Sequence, residues 1–248
     1  MIEGGFIQFE ATPETTAWAK AAKVEADKVL ADPAMQAKWL RHGKTWFVGV
    51  DALPNDEQGA INGVPLRGPW EGMIPGLPLH PAQLSVVYDG YPKKDEGESD
   101  KAHQFRLKRD AAHFDGLLAE GPQKRRFMKE PHAYILGIAL TDAEACPLVV
   151  WPGSEEIMRE AFTVAFAGMP AAMWSDIDVT EIYSDARNEV FECCERVELP
   201  MKAGQAVLLD RFVIHGTAPQ GKSKPPKDGR QIAFFRPQMA SIRDWLRD

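Results

Sequence analysis

The hydropathy pattern changes character near residue 44, and that change restricts the fold more than any other feature of the chain. Upstream, two helix starts follow one another. Thr12 can cap a helix whose first position is Pro13, with Glu14 suited to the positive helix end. Trp18, Ala22, Ala26, Val29 and Leu30 then recur on one face. Asp32-Pro33 repeats the start signal, predicting a second helix through Met35, Trp39 and Leu40 to a stop at Gly43. Downstream, apolar residues gather instead in short β-rich runs at 45–50, 83–88, 131–140, 146–151, 188–199, 205–215 and 230–235, separated by Gly, Pro and Asp clusters. Helices are predicted at 155–166 and within 176–187, and ASIRDWLRD reads as a short closing helix. The Pro- and Gly-rich stretch 51–81 reads as a long ordered loop, and PKKDEGESDK at 92–101 as a solvated, mobile connection. Helices followed by many short strands predict a mainly β jelly-roll barrel with flanking helices. One domain is expected over 1–248: a helical flank (1–44), a barrel with insertions (45–237) and a C-terminal helix (238–248).

Composition narrows the partners. A net charge of −7 disfavours broad contact with a phosphate backbone, so no nucleic-acid partner is expected. No apolar segment approaches a membrane span, and no basic-then-apolar leader opens the chain; a cytoplasmic protein without a membrane partner is expected. Cys146, Cys193 and Cys194 form no disulfide framework and suit a reducing compartment.

Three segments carry residues suited to chemistry. In RDAAHFDGLL, His113 and Asp115 stand two apart; on a strand they would project from one face and could converge on one ion. Two imidazoles with one carboxylate suit Fe(II) and leave coordination positions open. Alone, the pair is matched equally by a surface histidine beside a solvated aspartate. KAGQAVLLDRFVIHGTAP reads as a strand, a turn at Asp210-Arg211, and a second strand ending at His215-Gly216. A histidine placed there either hydrogen-bonds a carbonyl in the core or coordinates a metal. In GRQIAFFRPQ, Arg230, Ile232, Phe234 and Arg236 share one strand face. A buried arginine needs an anion: either a bound carboxylate gripped by its planar fork, or a structural partner such as Asp210 or Asp228.

His-x-Asp, a distal His and an Arg on the next strand, in this order, resemble the phytanoyl-CoA dioxygenase-like family. ALTDAEACPLVVWPGSEE is similar to that family's strand-turn-strand segment ending in Pro-Gly-Ser-His, and AGQAVLLDRFVIHGTAPQ to its segment around the distal His; the resemblance covers roughly 83–237. It implies a double-stranded β-helix barrel with iron at one mouth. By the same resemblance His113, Asp115 and His215 are the metal ligands, and Arg230 binds the distal carboxylate of 2-oxoglutarate. The implied cofactors are Fe(II), 2-oxoglutarate as co-substrate and O2, and the implied reaction is hydroxylation of a small-molecule substrate with release of succinate and CO2. Glu155 stands where the family has the His of Pro-Gly-Ser-His, and Gln220 replaces its Asn. The interval from His215 to Arg230 is long, which leaves Arg236 as the fallback for the anion. Trp151, beside Pro152-Gly153, falls near the barrel mouth by analogy, where it would touch substrate or serve packing.

Other histidines read as structural: His132 as a satisfied core residue, His103 at a strand edge, His42 in the last turn of a helix and His80 in a loop. Two further functions compete. One is a cupin-like metalloenzyme, isomerase or dioxygenase, that does not use 2-oxoglutarate; the other is a non-catalytic barrel that binds a small ligand.

Overall fold

A computed structural model describes residues 2–247; Met1 and Asp248, the ends of the expected domain and of its closing helix, lie outside the described residues. The strands are β1 (Phe6–Phe9), β2 (Leu40–Arg41), β3 (Trp46–Gly49), β4 (Gln83–Val87), β5 (Leu117–Glu120), β6 (Arg125–Met128), β7 (Tyr134–Ala139), β8 (Ala143–Val150), β9 (Val197–Met201), β10 (Ala206–Asp210), β11 (His215–Thr217) and β12 (Arg230–Phe235). The helices are α1 (Pro13–Ala31), α2 (Pro33–Trp39), α3 (Asp100–Lys108), α4 (Ser154–Ala165), α5 (Thr180–Cys193) and α6 (Ile242–Trp245). No helix among the described residues is long and apolar enough to cross a membrane.

A large antiparallel sheet has the order β1-β10-β7-β12-β4-β3-β2, and a smaller one the order β11-β8-β9. From β7 onward the chain visits large, small, small, large, small and large sheet in turn. That alternation is the double-stranded β-helix, a jelly roll, as expected. The hairpin of β5 and β6 projects from it.

Burial explains the layering. Along β7 every residue is buried, because both faces are covered. Ile135 and Ala139 face inward with Val207, Leu209 and Ile232, against Leu148, Val150, Leu199 and Met201 of the small sheet. Leu136 and Ile138 face the other way, where Trp18, Ala19, Ala22 and Ala26 of α1 close the outer face. The same helix fixes the loop over 51–81, since Trp18 Nε1 donates to the Gly59 carbonyl at 2.7 Å. Outside the small sheet, Met158 and Phe162 of α4 and Val190 of α5 pack with Phe114, Phe212 and Trp245.

The caps at Thr12 and Asp32 form as predicted, but several expectations change. α2 stops at Trp39, not Gly43, because the chain turns into β2. His42 therefore sits in a buried turn at positive φ, stacked on Trp46 with ring centroids 5.7 Å apart, and caps no helix. Strand β1, absent from the sequence reading, pairs with β10. Residues 188–193 are the end of α5: Tyr183, Ala186 and Val190 bury one helical face, a spacing that outweighs the β-favouring Val and Phe. Residues 211–214 form a turn and a short irregular link, so the second strand of that segment starts at His215. The connection over 92–101 is tied down: Asp95 accepts from the backbone N–H groups of His42 and Gly43, each at 2.7 Å. It leads into α3, capped by Ser99. That helix buries none of its residues and so shows no apolar stripe to read, and it carries His103 away from any strand edge.

Candidate metal centre

His113 and Asp115 do not lie on a regular strand. The chain reaches them through Asp110 and Ala111, both at positive φ, and only His113 pairs with the small sheet, as an isolated bridge to His215. The two histidines exchange both backbone bonds, His113 N–H to His215 O at 2.8 Å and His215 N–H to His113 O at 3.1 Å. Gly216 is required at that crossing: a Cβ there would lie 2.3 Å from the Asp110 carbonyl oxygen. Arg196 holds the bend through both oxygens of Asp110, at 2.6 and 2.9 Å.

The side chains converge from this frame. His113 Nε2 lies 3.3 Å from Asp115 Oδ1, and His215 Nε2 lies 3.8 Å from Asp115 Oδ2. One ligand atom from each residue falls within 4.8 Å of the others, and no other group of three among the described residues does so. Each imidazole places Nδ1 against a backbone carbonyl two residues earlier, His113 on Ala111 at 3.0 Å and His215 on Val213 at 3.1 Å. A carbonyl only accepts, so Nδ1 carries a proton, and Nε2 is the nitrogen each ring turns toward Asp115. Burial, then the neighbouring His113, pushes the His215 imidazole down to about 4, so it is neutral at pH 7. Burial opposes ionisation of Asp115, but the His113 hydrogen bond and the nearby His215 and Arg236 hold its carboxyl well below the usual range. Asp115 thus offers an ionised oxygen and His215 a neutral nitrogen, the protonation a divalent cation needs of each.

A cavity of about 360 Å³ opens on these three residues, walled by Trp46, Val48, Leu118, Ile135 and Phe234. Thr217, on the same face of β11 as His215, lines it too. Behind Thr217 lies Arg230, 4 % exposed, its Nη2 donating to Thr217 Oγ1 at 3.3 Å. Arg230 Nε and Nη1 have no partner among the described residues. The salt bridge that would have explained this residue is not made: Asp210 accepts from the Phe212 N–H, and Asp228 pairs with Lys23 at 2.9 Å. Burial lowers the guanidinium to about 10, yet it stays charged at pH 7. Its neighbours Cys146 and Tyr91 are both pushed up by burial, the thiol to about 11, and supply no anion.

Arg236 occupies a different wall. Its Nη2 donates to Gln83 Oε1 at 2.6 Å and its Nη1 to Asp115 Oδ2 at 3.4 Å. Trp151 does not line the cavity. It packs in the small-sheet core, edge-on to Phe191 at 5.5 Å, because the end of β8 turns it toward α5. Trp46 and Thr217, which do line the cavity, were missed by sequence reasoning. Thr217 carried a usable signal, two residues beyond His215 on one strand; Trp46 carried none, since only sheet order brings β3 to this mouth. His132 is structural as expected, with Nδ1 on the Arg236 carbonyl at 2.9 Å. Glu155 is buried beside Gly153, whose N–H it accepts at 2.9 Å, and does not reach the cavity wall.

The sequence profile of the phytanoyl-CoA dioxygenase family matches residues 93–224, more than half of the chain. The chain belongs to the phytanoyl-CoA dioxygenase family. It is therefore an oxygenase of the Fe(II)- and 2-oxoglutarate-dependent class, in a family that acts on small molecules. Among curated proteins no sequence matches it. Solved structures similar to this family member include the non-haem alpha ketoglutarate dependent carbocyclase SnoK from nogalamycin biosynthesis, at 14 % identity and a TM-score of 0.46, over 98 % of this chain and 85 % of that one. EvdMO1 matches at 16 % identity and 0.48, over 96 % of this chain and 48 % of its own. EctD from S. alaskensis, with 2-oxoglutarate and 5-hydroxyectoine, matches at 17 % and 0.45, over 94 % and 71 %.

Proposed function

We propose that this enzyme hydroxylates a small-molecule substrate, with His113, Asp115 and His215 holding Fe(II), and Arg230 with Thr217 holding the distal carboxylate of 2-oxoglutarate. The observation that carries the proposal is the Arg230 guanidinium: buried, charged, without a carboxylate partner, and one hydroxyl away from the cavity of the three ligands. A buried cation left so is costly, and a dicarboxylate reaching from the metal to Arg230 removes that cost. The donor set also fits the metal, since two imidazoles and one carboxylate leave positions open for a chelating 2-oxo acid and O2. When bound, iron and 2-oxoglutarate supply the oxidation of substrate by O2, with release of succinate and CO2.

The chain's own residues then have separable tasks. The carbonyls of Ala111 and Val213 keep both Nε2 lone pairs aimed at the ion. Arg236, held by Gln83, steadies the second oxygen of Asp115 and is not the grip on 2-oxoglutarate. Trp46, Leu118 and Phe234 exclude water from the space where substrate would lie. A metalloenzyme that ignores 2-oxoglutarate would leave Arg230 without a counter-ion.

The test is anaerobic addition of 2-oxoglutarate to Fe(II)-loaded protein, followed by visible absorption. A weak metal-to-ligand charge-transfer band is expected, abolished in His113→Ala and requiring much higher 2-oxoglutarate in Arg230→Met. No band in the wild-type protein would sink the assignment.

A further inference from the structure

Arg230 is not the sole buried polar group at this end of the barrel that lacks a partner. The Tyr91 side chain is 2 % exposed, and its hydroxyl proton finds no acceptor among the described residues. Its ring is fixed. Trp46 meets it edge-on at 6.1 Å and His42 at 6.5 Å, while Val87 and Cys146 pack with it in one buried cluster. The backbone is fixed as well, because the Tyr91 carbonyl accepts from the Gln220 N–H at 2.8 Å, three residues beyond Thr217. In the sheet Arg230 is paired with Val87, four residues before Tyr91, and the two side chains lie within electrostatic reach of each other.

Buried polar groups are nearly always hydrogen-bonded, and each exception asks for an explanation. Here three donors without an acceptor, Tyr91 Oη–H and Arg230 Nε–H and Nη1–H, share one buried neighbourhood: Arg230 reaches Thr217 through Nη2, and Val87, its partner in the sheet, packs with Tyr91. All are donors, and nothing among the described residues accepts from them. The phenol also faces the guanidinium of Arg106, which Glu98 holds at 3.3 Å. A cation on that side can only donate to the phenol oxygen, so the O–H is left to donate elsewhere.

We infer that Tyr91 is a further residue of the 2-oxoglutarate cradle, its hydroxyl donating to the distal carboxylate that Arg230 grips. The inference rests on the function proposed above for Arg230. A free N–H of Arg230, one phenol O–H and one threonine hydroxyl are then available to a carboxylate that offers about four lone-pair sites. Tyr91 also explains how the cradle is built from three parts of the fold: β12, β11 and the turn after β4.

Calorimetric titration into Zn(II)-loaded protein, which does not turn over, separates the possibilities. The probes are 2-oxoglutarate and 2-oxobutyrate, which keeps the 2-oxo acid head and lacks the distal carboxylate. Tyr91→Phe keeps the ring packing and removes only the hydroxyl. It should weaken 2-oxoglutarate by about tenfold and leave 2-oxobutyrate unchanged, as expected for one hydrogen bond to a charged group. Arg230→Met should lose more, again for 2-oxoglutarate alone. Unchanged 2-oxoglutarate affinity in Tyr91→Phe, with a clear loss in Arg230→Met, overturns the role of Tyr91 and spares that of Arg230. Equal loss for both probes in Tyr91→Phe also overturns it, by showing general damage. Unchanged affinity in Arg230→Met removes the parent assignment, and the Tyr91 inference with it.

Discussion

His215 shows what burying one imidazole costs the folded chain. In the fold its imidazole is pushed down to about 4, whereas in an unfolded chain it titrates near its ordinary value of about 6.5. Above that value neither state binds the proton and His215 costs nothing. As the pH falls from about 6.5 to about 4 the unfolded state takes up a proton the native state refuses, so stability declines, by up to about 3 kcal/mol. Metal-free protein should therefore lose Tm across that window, and His215→Gln should flatten the loss; a wild-type Tm that holds steady from pH 6.5 to 4 would contradict the burial argument. Thr217 and Arg230 make a graded pair. Thr217→Val removes one hydroxyl and should raise the Kd for 2-oxoglutarate several-fold, about 1 kcal/mol. Arg230→Met should raise it by about a hundredfold or more, read from the charge-transfer band or by calorimetry.

The crossing between the 110–115 segment and β11 is the element on which the ligand geometry depends. It combines the Arg196–Asp110 pair, two positive-φ residues and a glycine that admits a carbonyl oxygen at closest approach. Gly216→Ala should push Asp110 and the following turn away and spoil the reciprocal His113–His215 pairing. Arg196→Met should do so more mildly, by freeing the Asp110 carboxylate. Both should weaken metal binding, by about 10- to 100-fold for the glycine, while far-ultraviolet circular dichroism stays close to wild type. Equal metal affinity in Gly216→Ala would show that the backbone contact is dispensable.

Across the molecule, the barrel is closed by α1 on one face and by α4 and α5 on the other, and the metal centre lies between the sheets. A ligand held only by the native state stabilises it by mass action. At a metal concentration about a hundred times Kd, the gain is about 2.7 kcal/mol, so chelation should lower Tm by several degrees and added Zn(II) should restore it. Trp18→Ala empties the contact between α1 and the large sheet and frees the 51–81 loop. It should cost about 3–5 kcal/mol by denaturant titration.

The elements legible in the sequence were those whose signals are local. Capped helix starts at Thr12 and Asp32, continuous apolar runs such as 134–139 and the Asp210 turn depend on residues a few positions apart, and they form as read. The three residues His113, Asp115 and His215 that the family resemblance picks out from a linear pattern do come together in space. What no local pattern carries is which side chain faces which. Trp151 was expected at the mouth and lies in the outer core, while Trp46 arrives on β3 and Tyr91 on the turn after β4, which only sheet order brings near. The choice between Arg230 and Arg236 was equally tertiary. In sequence the two fall on one alternating face, yet Arg236 meets Asp115 and Arg230 meets no carboxylate among the described residues, a difference set by where the 110–115 segment crosses the barrel. Sequence determined which groups are present and in what order; the packing of two sheets decided which were left unsatisfied, and a buried donor without a partner marks where a ligand belongs.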